Sequence, residues 1–187
     1  LFLQGGASTQ FAMIPMNFLP PDRTAAYVDT GLWSGKAVKE ARKIGQAAVV
    51  AGTADAGYDH IPELPAGTVA PDAAYLHITT NNTIYGTQYQ AVPELPDSVP
   101  LFADMSSDIL SRPLSFESFD LIYAGAQKNL GPSGVTLVIV CRELAESGAA
   151  NLPSMLDYRT HIKNDSLYNT PPTFSIYMLA LVTDWIC

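Results

Sequence analysis

The chain has 187 residues, of which 48% are hydrophobic and 15% are charged. This composition argues against disorder and favours one domain with a large core, since domains usually contain roughly 100 to 200 residues. The net charge of -8, with no local cluster of Lys and Arg, argues against a nucleic-acid partner. No apolar run approaches the roughly 20 residues that span a bilayer, so no membrane association is expected.

Cysteine and histidine spacing gives no sign of a metal site. Cys141 and Cys187 are too far apart in sequence to suggest a disulfide framework or a metal knuckle. We therefore expect a reducing, cytoplasmic location. His60, His77 and His161 share no ligand spacing with one another or with the cysteines, so no metal is predicted. We interpret His77 as a core or strand residue whose polar atoms are satisfied.

Short apolar runs rich in β-branched and aromatic residues recur along the chain, and each is a predicted strand. Several lack polar alternation, which is typical of strands buried on both faces of a mainly parallel sheet. Helical patterns lie between them, so the alternation predicts an α/β fold. The predicted strands cover residues 25–28, 47–51, 74–79, 100–103, 119–123 and 135–140, and the predicted helices cover 9–18, 34–44 and 174–185.

Two proline-rich stretches, 61–71 and 92–100, are predicted surface loops within the domain, because strand patterns resume directly after both. The chain begins on the apolar Leu1-Phe2-Leu3, as though partway along a buried strand. It stops within an apolar helical pattern that has no stop signal. We therefore expect residues 1–187 to form a single domain that is a piece of a longer chain.

The segment after the predicted strand 119–123 carries a single lysine, Lys128, between small residues and a Gly-Pro-Ser-Gly turn. A lysine at a strand end, with space for a ring beside it, suits Schiff-base chemistry if desolvation lowers the pKa of its amine. A solvated loop lysine is the more common case, so the surrounding motifs have to decide.

Three other features supply what a phosphorylated pyridine cofactor needs. Asp104 ends an apolar strand, where its carboxylate could keep a pyridine nitrogen protonated or could simply cap a turn. The turn 5–10, Gly-Gly-Ala-Ser-Thr-Gln, could cradle a phosphate, although an ordinary N-cap by Ser8 or Thr9 explains it equally well. Trp33 follows another strand end, where it could stack on the ring or belong to the core. Together with Lys128, these features indicate pyridoxal phosphate (PLP).

These motifs belong to a longer resemblance. The chain resembles the phosphoserine aminotransferases, a family of fold-type I, class V PLP enzymes. The resemblance implies the large PLP-binding domain of that fold, an α/β structure with a mainly parallel seven-stranded sheet between helices. The family also has an N-terminal His-Arg pair and a C-terminal small domain, and we expect this chain to lack both. The matching segments are 5–11, 30–34, 81–87, 103–107, 109–113, 124–132 and 168–173.

The resemblance also implies a role for each matched residue. Lys128 would form the Schiff base and move the proton, and Asp104 would pair with the pyridine nitrogen. Trp33 would stack on the ring, and Thr83 would hydrogen-bond to its hydroxyl group. A homodimer is implied because two residues would reach the phosphate of the neighbouring subunit. The remaining positions are Ala7, Ser8 and Gln127 for the phosphate of the same subunit, and Asn169 and Thr170 for that of the neighbour.

The implied reaction moves an amino group between phosphoserine and 2-oxoglutarate, giving phosphohydroxypyruvate and glutamate in serine biosynthesis. Two alternatives stay open. One is another class V enzyme, such as an alanine-glyoxylate aminotransferase or a cysteine desulfurase, although a desulfurase needs a mobile cysteine. Neither Cys141, in a strand pattern, nor Cys187, at the chain end, suits that role. The other is a core that folds, dimerises or binds PLP without turnover.

Overall fold

Strands and helices alternate along most of the computed structural model, which describes residues 1–186. The strands are β1 (Phe2–Leu3), β2 (Thr24–Asp29), β3 (Gln46–Gly52), β4 (Leu76–Thr79), β5 (Asn81–Asn82), β6 (Thr87–Gln88), β7 (Leu101–Asp104), β8 (Leu121–Gly125) and β9 (Thr136–Val140). The α-helices are α1 (Gly6–Phe18), α2 (Leu32–Ile44), α3 (Ala126–Asn129), α4 (Arg142–Glu146), α5 (Tyr158–Lys163) and α6 (Thr173–Ile186).

Seven strands form one sheet in the order β1-β9-β8-β7-β4-β2-β3. Parallel pairing joins β2 to β3 and β4, then β4 to β7 and β7 to β8. Only β9 runs the other way, and it is antiparallel to both β8 and β1. The predicted α/β fold with a mainly parallel seven-stranded sheet is therefore confirmed, and Phe2–Leu3 does lie in a strand.

The sheet separates two hydrophobic clusters, because successive residues of a strand point to opposite faces. On the first face, Phe102 and Tyr123 pack with residues of α1 and α2. On the second face, Ala103 and Ile122 pack with Leu179 of α6. The proline-rich loops also cover this second face, as the partial burial of Ile61, Leu64, Val92 and Leu95 shows.

The predicted strands end within two residues of the observed ones, but two helices begin earlier than expected. Helix α1 begins at Gly6, after Gly5 with a φ of 89° and no side-chain cap, so the interpretation of Ser8 or Thr9 as N-cap is wrong. Helix α2 begins at Leu32, which places Trp33 in its first turn. Elements of two to six residues were missed, since they are too short for a periodic pattern. These are β5, β6, α3, α4 and α5.

The prediction that Cys141 lies in a strand is wrong. It is an exposed thiol at the N-cap of α4, with its Sγ 3.0 Å from Glu143 Oε2. Its N–H bonds to the Asp120 carbonyl at 2.9 Å, at the edge of the sheet where β8 begins. Cys187 lies outside the described residues. Within residues 1–186, no three His, Cys, Asp or Glu side chains are grouped as metal ligands. In the same range, no helix is long and apolar enough to cross a bilayer.

His77 provides a pH-dependent stability prediction. Burial lowers the pKa of His77 to about 3, so it stays neutral in the fold at pH values where an unfolded histidine is protonated. The unfolded chain therefore binds more protons below pH 6.5, and stability falls as the pH drops from there toward 3. We expect this group to remove about 2 kcal/mol from the free energy of unfolding between pH 7.5 and 5.0.

Urea denaturation at both pH values measures this loss, with His77→Gln as the reference because glutamine has no group that titrates in this range. The variant should keep the part of the pH dependence that comes from other groups and lose the part due to His77. Equal losses of unfolding free energy in the wild type and in His77→Gln would show that burial of a neutral His77 does not cause the pH dependence.

Candidate functional site

The candidate site lies along one edge of the sheet, where four parallel strands end. Asp104 is the last residue of β7, and Lys128 follows β8 in α3. Trp33 follows β2 in the first turn of α2, and Thr83 follows β4 in the turn between β5 and β6. Loops at the carboxyl ends of parallel strands are where such sheets build binding sites. The fold thus brings together residues that are separated by up to 95 positions in sequence.

Contacts link Lys128 to two of these residues. Its Nζ donates a hydrogen bond to Thr83 Oγ1 at 3.2 Å and lies 5.1 Å from the centroid of the Trp33 ring. The residue lies in a single helical turn, α3. Its side chain is exposed, so this chain alone does not shield the amine from water. A hydroxyl group and an aromatic ring position the amine instead.

Trp33 belongs to both the core and the site. It packs against the hydrophobic cluster on the first face of the sheet, while Lys36 Nζ lies 4.4 Å from its ring centroid and Lys128 Nζ lies 5.1 Å from it. Two ammonium groups therefore lie over one electron-rich ring, a favourable cation–π arrangement. Sequence reasoning missed Lys36, although its spacing of three from Trp33 places both on one side of a helix.

Asp104 is a buried carboxylate with organised hydrogen bonds. Only 5% of the residue is exposed, and its Oδ1 accepts from Ser106 N at 2.9 Å and from Ser106 Oγ at 2.6 Å. Burial raises the pKa of Asp104, against the opposing effects of Ser106, the Lys128 charge and the Tyr123 hydroxyl. None of the ion pairs in residues 1–186 involves Asp104. Such a carboxylate is suited to a cation brought by a ligand.

Ser106 was also missed from the sequence. Its hydroxyl group binds Asp104 and accepts a hydrogen bond from Gly125 N at 3.1 Å, so it joins the ends of β7 and β8. The available signal is local, since an Asp commonly accepts a hydrogen bond from the backbone N–H two residues later. Asp104 therefore caps a turn, which was the alternative role considered for it, and it also faces the candidate site.

The glycine turn at the start of α1 is open on one side. Gly5 and Gly6 have φ angles of 89° and 68°, a left-handed conformation that glycine adopts without strain. A Cβ at Gly5 would lie 1.9 Å from Thr9 Oγ1, whereas one at Gly6 would meet nothing within 4 Å. With no side-chain cap at Gly5, the N–H groups of the first turn are free to bind an anion at Ala7 and Ser8.

Three predicted phosphate-binding residues lie outside this turn. Gln127 is exposed beside Lys128 in α3. Asn169 and Thr170 lie in the loop between α5 and α6, and Gln4 Nε2 donates to the Thr170 carbonyl oxygen at 2.8 Å. The loop is thereby held beside the residue that precedes Gly5 in the same chain. Contact with a neighbouring subunit stays a prediction.

The sequence matches a known family over its full length. The model of the family described as aminotransferase class-V matches residues 1–187. The chain belongs to the class-V aminotransferases. This class-V chain is 60% identical to the phosphoserine aminotransferase of Geobacillus kaustophilus and 57% identical to that of Bacillus subtilis, each over 186 residues. It covers 51% of each, so it spans about half the length of these relatives.

Solved structures agree with this assignment. The phosphoserine aminotransferase of Bacillus circulans subsp. alkalophilus has a TM-score of 0.96 and 57% identity, with all of this class-V chain and 51% of that one covered. The PLP-bound enzyme of Trichomonas vaginalis has a TM-score of 0.85 and 39% identity, with 100% and 52% covered. The pyridoxamine-pyruvate aminotransferase of Mesorhizobium loti, at 17% identity and a TM-score of 0.78 with 100% and 52% covered, shares the fold.

Proposed function

We propose that the protein uses PLP to transfer an amino group reversibly between phosphoserine and 2-oxoglutarate, giving phosphohydroxypyruvate and glutamate in serine biosynthesis. The observation that carries this proposal is the grouping of Lys128 with Trp33, Thr83 and the buried Asp104 at one edge of the sheet. The relatives at 57–60% identity are named phosphoserine aminotransferases, which supports this choice of substrates. The exposed thiol of Cys141 is in keeping with a cytoplasmic location.

The residues present fit PLP. A buried carboxylate whose pKa is raised by burial gains from a cation beside it, and a protonated pyridine nitrogen supplies one. Trp33 offers a ring face for stacking, and Thr83 offers a hydroxyl group for the ring oxygen. The phosphate-binding residues are Ala7, Ser8 and Gln127. When bound, PLP supplies the electron sink that stabilises negative charge on the substrate carbon.

Lys128 is the residue that would hold the cofactor and move the proton. Its Nζ would bind the cofactor aldehyde until the amino group of the substrate replaced it. The freed amine would then serve as the base that accepts the proton of the substrate Cα and returns it later in the reaction. Thr83, at 3.2 Å from Nζ, keeps the amine near the position that both steps require. Asp104 stabilises the charge that the ring accepts.

Reduction with borohydride in the presence of PLP, followed by peptide mapping, tests the cofactor assignment. We expect the label on Lys128 and no label in Lys128→Ala. Absence of label from the full-length gene product would contradict the cofactor assignment. A coupled assay of glutamate formation from phosphoserine then tests turnover. Because the chain spans about half the length of its relatives, we expect little turnover from residues 1–187 alone. Labelled full-length protein without turnover would favour the silent PLP-binding core.

We also infer a homodimer in which Asn169 and Thr170 serve the phosphate site of the partner. Large hydrophobic side chains flank this loop, with Leu167 64% exposed and Phe174 69% exposed. A cluster of this kind is typical of surfaces that pair with another protein. The inactive variants Lys128→Ala and Asn169→Ala, mixed as full-length subunits, should form heterodimers with one intact site and regain activity. Activity that stays at the level of the separate variants would contradict a shared site.

The stacking role of Trp33 is tested by PLP affinity. Trp33→Ala should raise the Kd for PLP about 2- to 12-fold, since aromatic stacking contributes about 0.5–1.5 kcal/mol beyond area burial. Trp33→Phe keeps a ring face, so its Kd for PLP should lie between those of wild type and Trp33→Ala. The matched control is Trp185→Ala, because that indole is 86% exposed on α6. Equilibrium dialysis measures all four proteins, and an equal Kd for Trp33→Ala and Trp185→Ala would contradict stacking.

A further inference from the structure

A chain of buried polar side chains lies behind Asp104. His77 Nε2 lies 2.9 Å from Tyr123 Oη, although His77 is in β4 and Tyr123 is in β8, with β7 between them. Tyr123 is the Cα partner of Asp104 in the pairing of β7 with β8. Burial raises the pKa of Asp104, and the neighbouring Tyr123 hydroxyl opposes this rise. His77 is thus linked by a hydrogen bond to the residue paired with Asp104.

These three side chains are almost fully shielded from water. The exposed fractions are 1% for His77, 0% for Tyr123 and 5% for Asp104. The His77 ring also lies 5.0 Å from the ring of Tyr27 and 5.9 Å from that of Tyr123, so packing restrains it on both sides. Hydrogen bonds are electrostatically stronger in such surroundings than in water, and consecutive ones polarise each other.

The direction of these hydrogen bonds follows from the state of His77. Burial lowers its pKa to about 3, so the ring is neutral and carries one N–H. Nδ1 is buried without a hydrogen-bond partner, whereas Nε2 lies 2.9 Å from the Tyr123 hydroxyl oxygen. A buried N–H without an acceptor is rarer than a buried lone pair without a donor, which places the proton on Nε2. His77 then donates to the Tyr123 oxygen, which leaves the Tyr123 hydroxyl proton available to Asp104 in the neighbouring strand.

We propose that His77 is a positioning residue that acts through Tyr123 to hold the Asp104 carboxylate as a fixed acceptor for the protonated cofactor nitrogen. Ser106 binds Asp104 Oδ1, and Tyr123 supports the carboxylate from the neighbouring strand. Both restrain its orientation and offset the cost of burying its charge. This inference rests on the proposed PLP-dependent function, since it concerns how the same carboxylate is held.

The same cluster contains a matched pair that lacks this connection. Tyr27 Oη and Tyr75 Oη lie 2.8 Å apart, with exposed fractions of 1% and 0%. Tyr75→Phe therefore removes one buried hydroxyl group and its hydrogen bond to Tyr27, just as Tyr123→Phe removes a buried hydroxyl group and its hydrogen bond to His77. Only the change at Tyr123 also removes the donor proposed for Asp104. A general loss of core packing would affect both variants alike, whereas the proposed role affects only one.

The experiment uses the full-length holoenzyme loaded with PLP labelled with 15N in the ring. In Tyr123→Phe, the 15N resonance should move toward that of an unprotonated pyridine, and kcat should fall about 10-fold or more with little change in KM. Tyr75→Phe should leave both readouts unchanged. His77→Leu should follow Tyr123→Phe, and His77→Gln should restore both readouts because its amide can donate in place of Nε2.

Each outcome bears on one proposal. Wild-type protein that fails to bind PLP at Lys128 overturns the function proposed above. If the wild-type protein binds PLP and is active, but the 15N resonance is unchanged in Tyr123→Phe, only the positioning role is contradicted. Equal effects of Tyr75→Phe and Tyr123→Phe also overturn it. If Tyr123→Phe does not fold, His77→Leu and His77→Gln decide the question, and identical resonances in those two variants contradict the role.

Discussion

Replacing Lys128 with alanine is expected to lower the rate of amino-group transfer by at least about 10³-fold, because in the proposed mechanism both the covalent hold on the cofactor and the proton transfer depend on its amine. The fold should persist, since the side chain is exposed and most surface substitutions change stability by less than about 0.5 kcal/mol. The coupled glutamate assay and thermal unfolding, measured on the full-length gene product, give the two quantities.

The matched control for Lys128 is Lys36→Ala. Lys36 Nζ lies 4.4 Å from the centroid of the same Trp33 ring, so its removal also takes a positive charge from the ring. If Lys128 acts only by placing charge near Trp33, the two variants should lose similar activity. The proposed mechanism expects Lys36→Ala to stay within about 5-fold of wild type, since Lys36 is exposed and a cation–π contact at an exposed site contributes only about 0.5–1 kcal/mol.

Asp104→Asn is expected to reduce kcat on the order of 10²- to 10³-fold, the range found when one preorganised electrostatic group is removed. Asparagine keeps the shape and can still accept from Ser106, but it carries no charge for the pyridine nitrogen. Because burial raises the pKa of Asp104, its ionisation costs stability as the pH rises through the ordinary aspartate range. At neutral pH, the free energy of unfolding of the variant should therefore be no lower than that of wild type, apart from hydrogen-bond losses of about 1 kcal/mol.

Asp108→Asn provides the comparison for Asp104. Asp108 is also buried, and its carboxylate accepts from Thr80 Oγ1 at 2.6 Å and from Gln88 Nε2 at 3.1 Å. Its partners are neutral protein groups, so the mechanism gives its charge no part in the reaction. Urea unfolding and steady-state kinetics of both variants separate the two roles. A similar fall in kcat for both would show that loss of any buried carboxylate in this region impairs the enzyme.

Local pattern was enough to predict where several candidate site residues lie in the fold. Lys128, Asp104 and Trp33 each follow an apolar run, and a side chain that follows a parallel strand lies at the carboxyl edge of the sheet wherever that strand sits. The turn at Gly5-Gly6 was also predictable, since two adjacent glycines before a helix indicate a left-handed backbone conformation. Local pattern did not determine the exposure of Lys128 or the N-cap of α1, because both depend on neighbouring segments.

Sequence patterns alone were enough to predict the α/β class, the main strands and the residues to which we assign the chemistry, because strands buried on both faces lose polar alternation and the candidate site residues follow strand ends. Strand order, and with it which side chains meet, came from the tertiary structure alone. Tyr123 faces Asp104 because β8 pairs with β7, and His77 reaches Tyr123 across that strand. The histidine that we interpreted as a satisfied core residue has one satisfied nitrogen, and the contact that satisfies it spans 46 residues of sequence, beyond any local pattern.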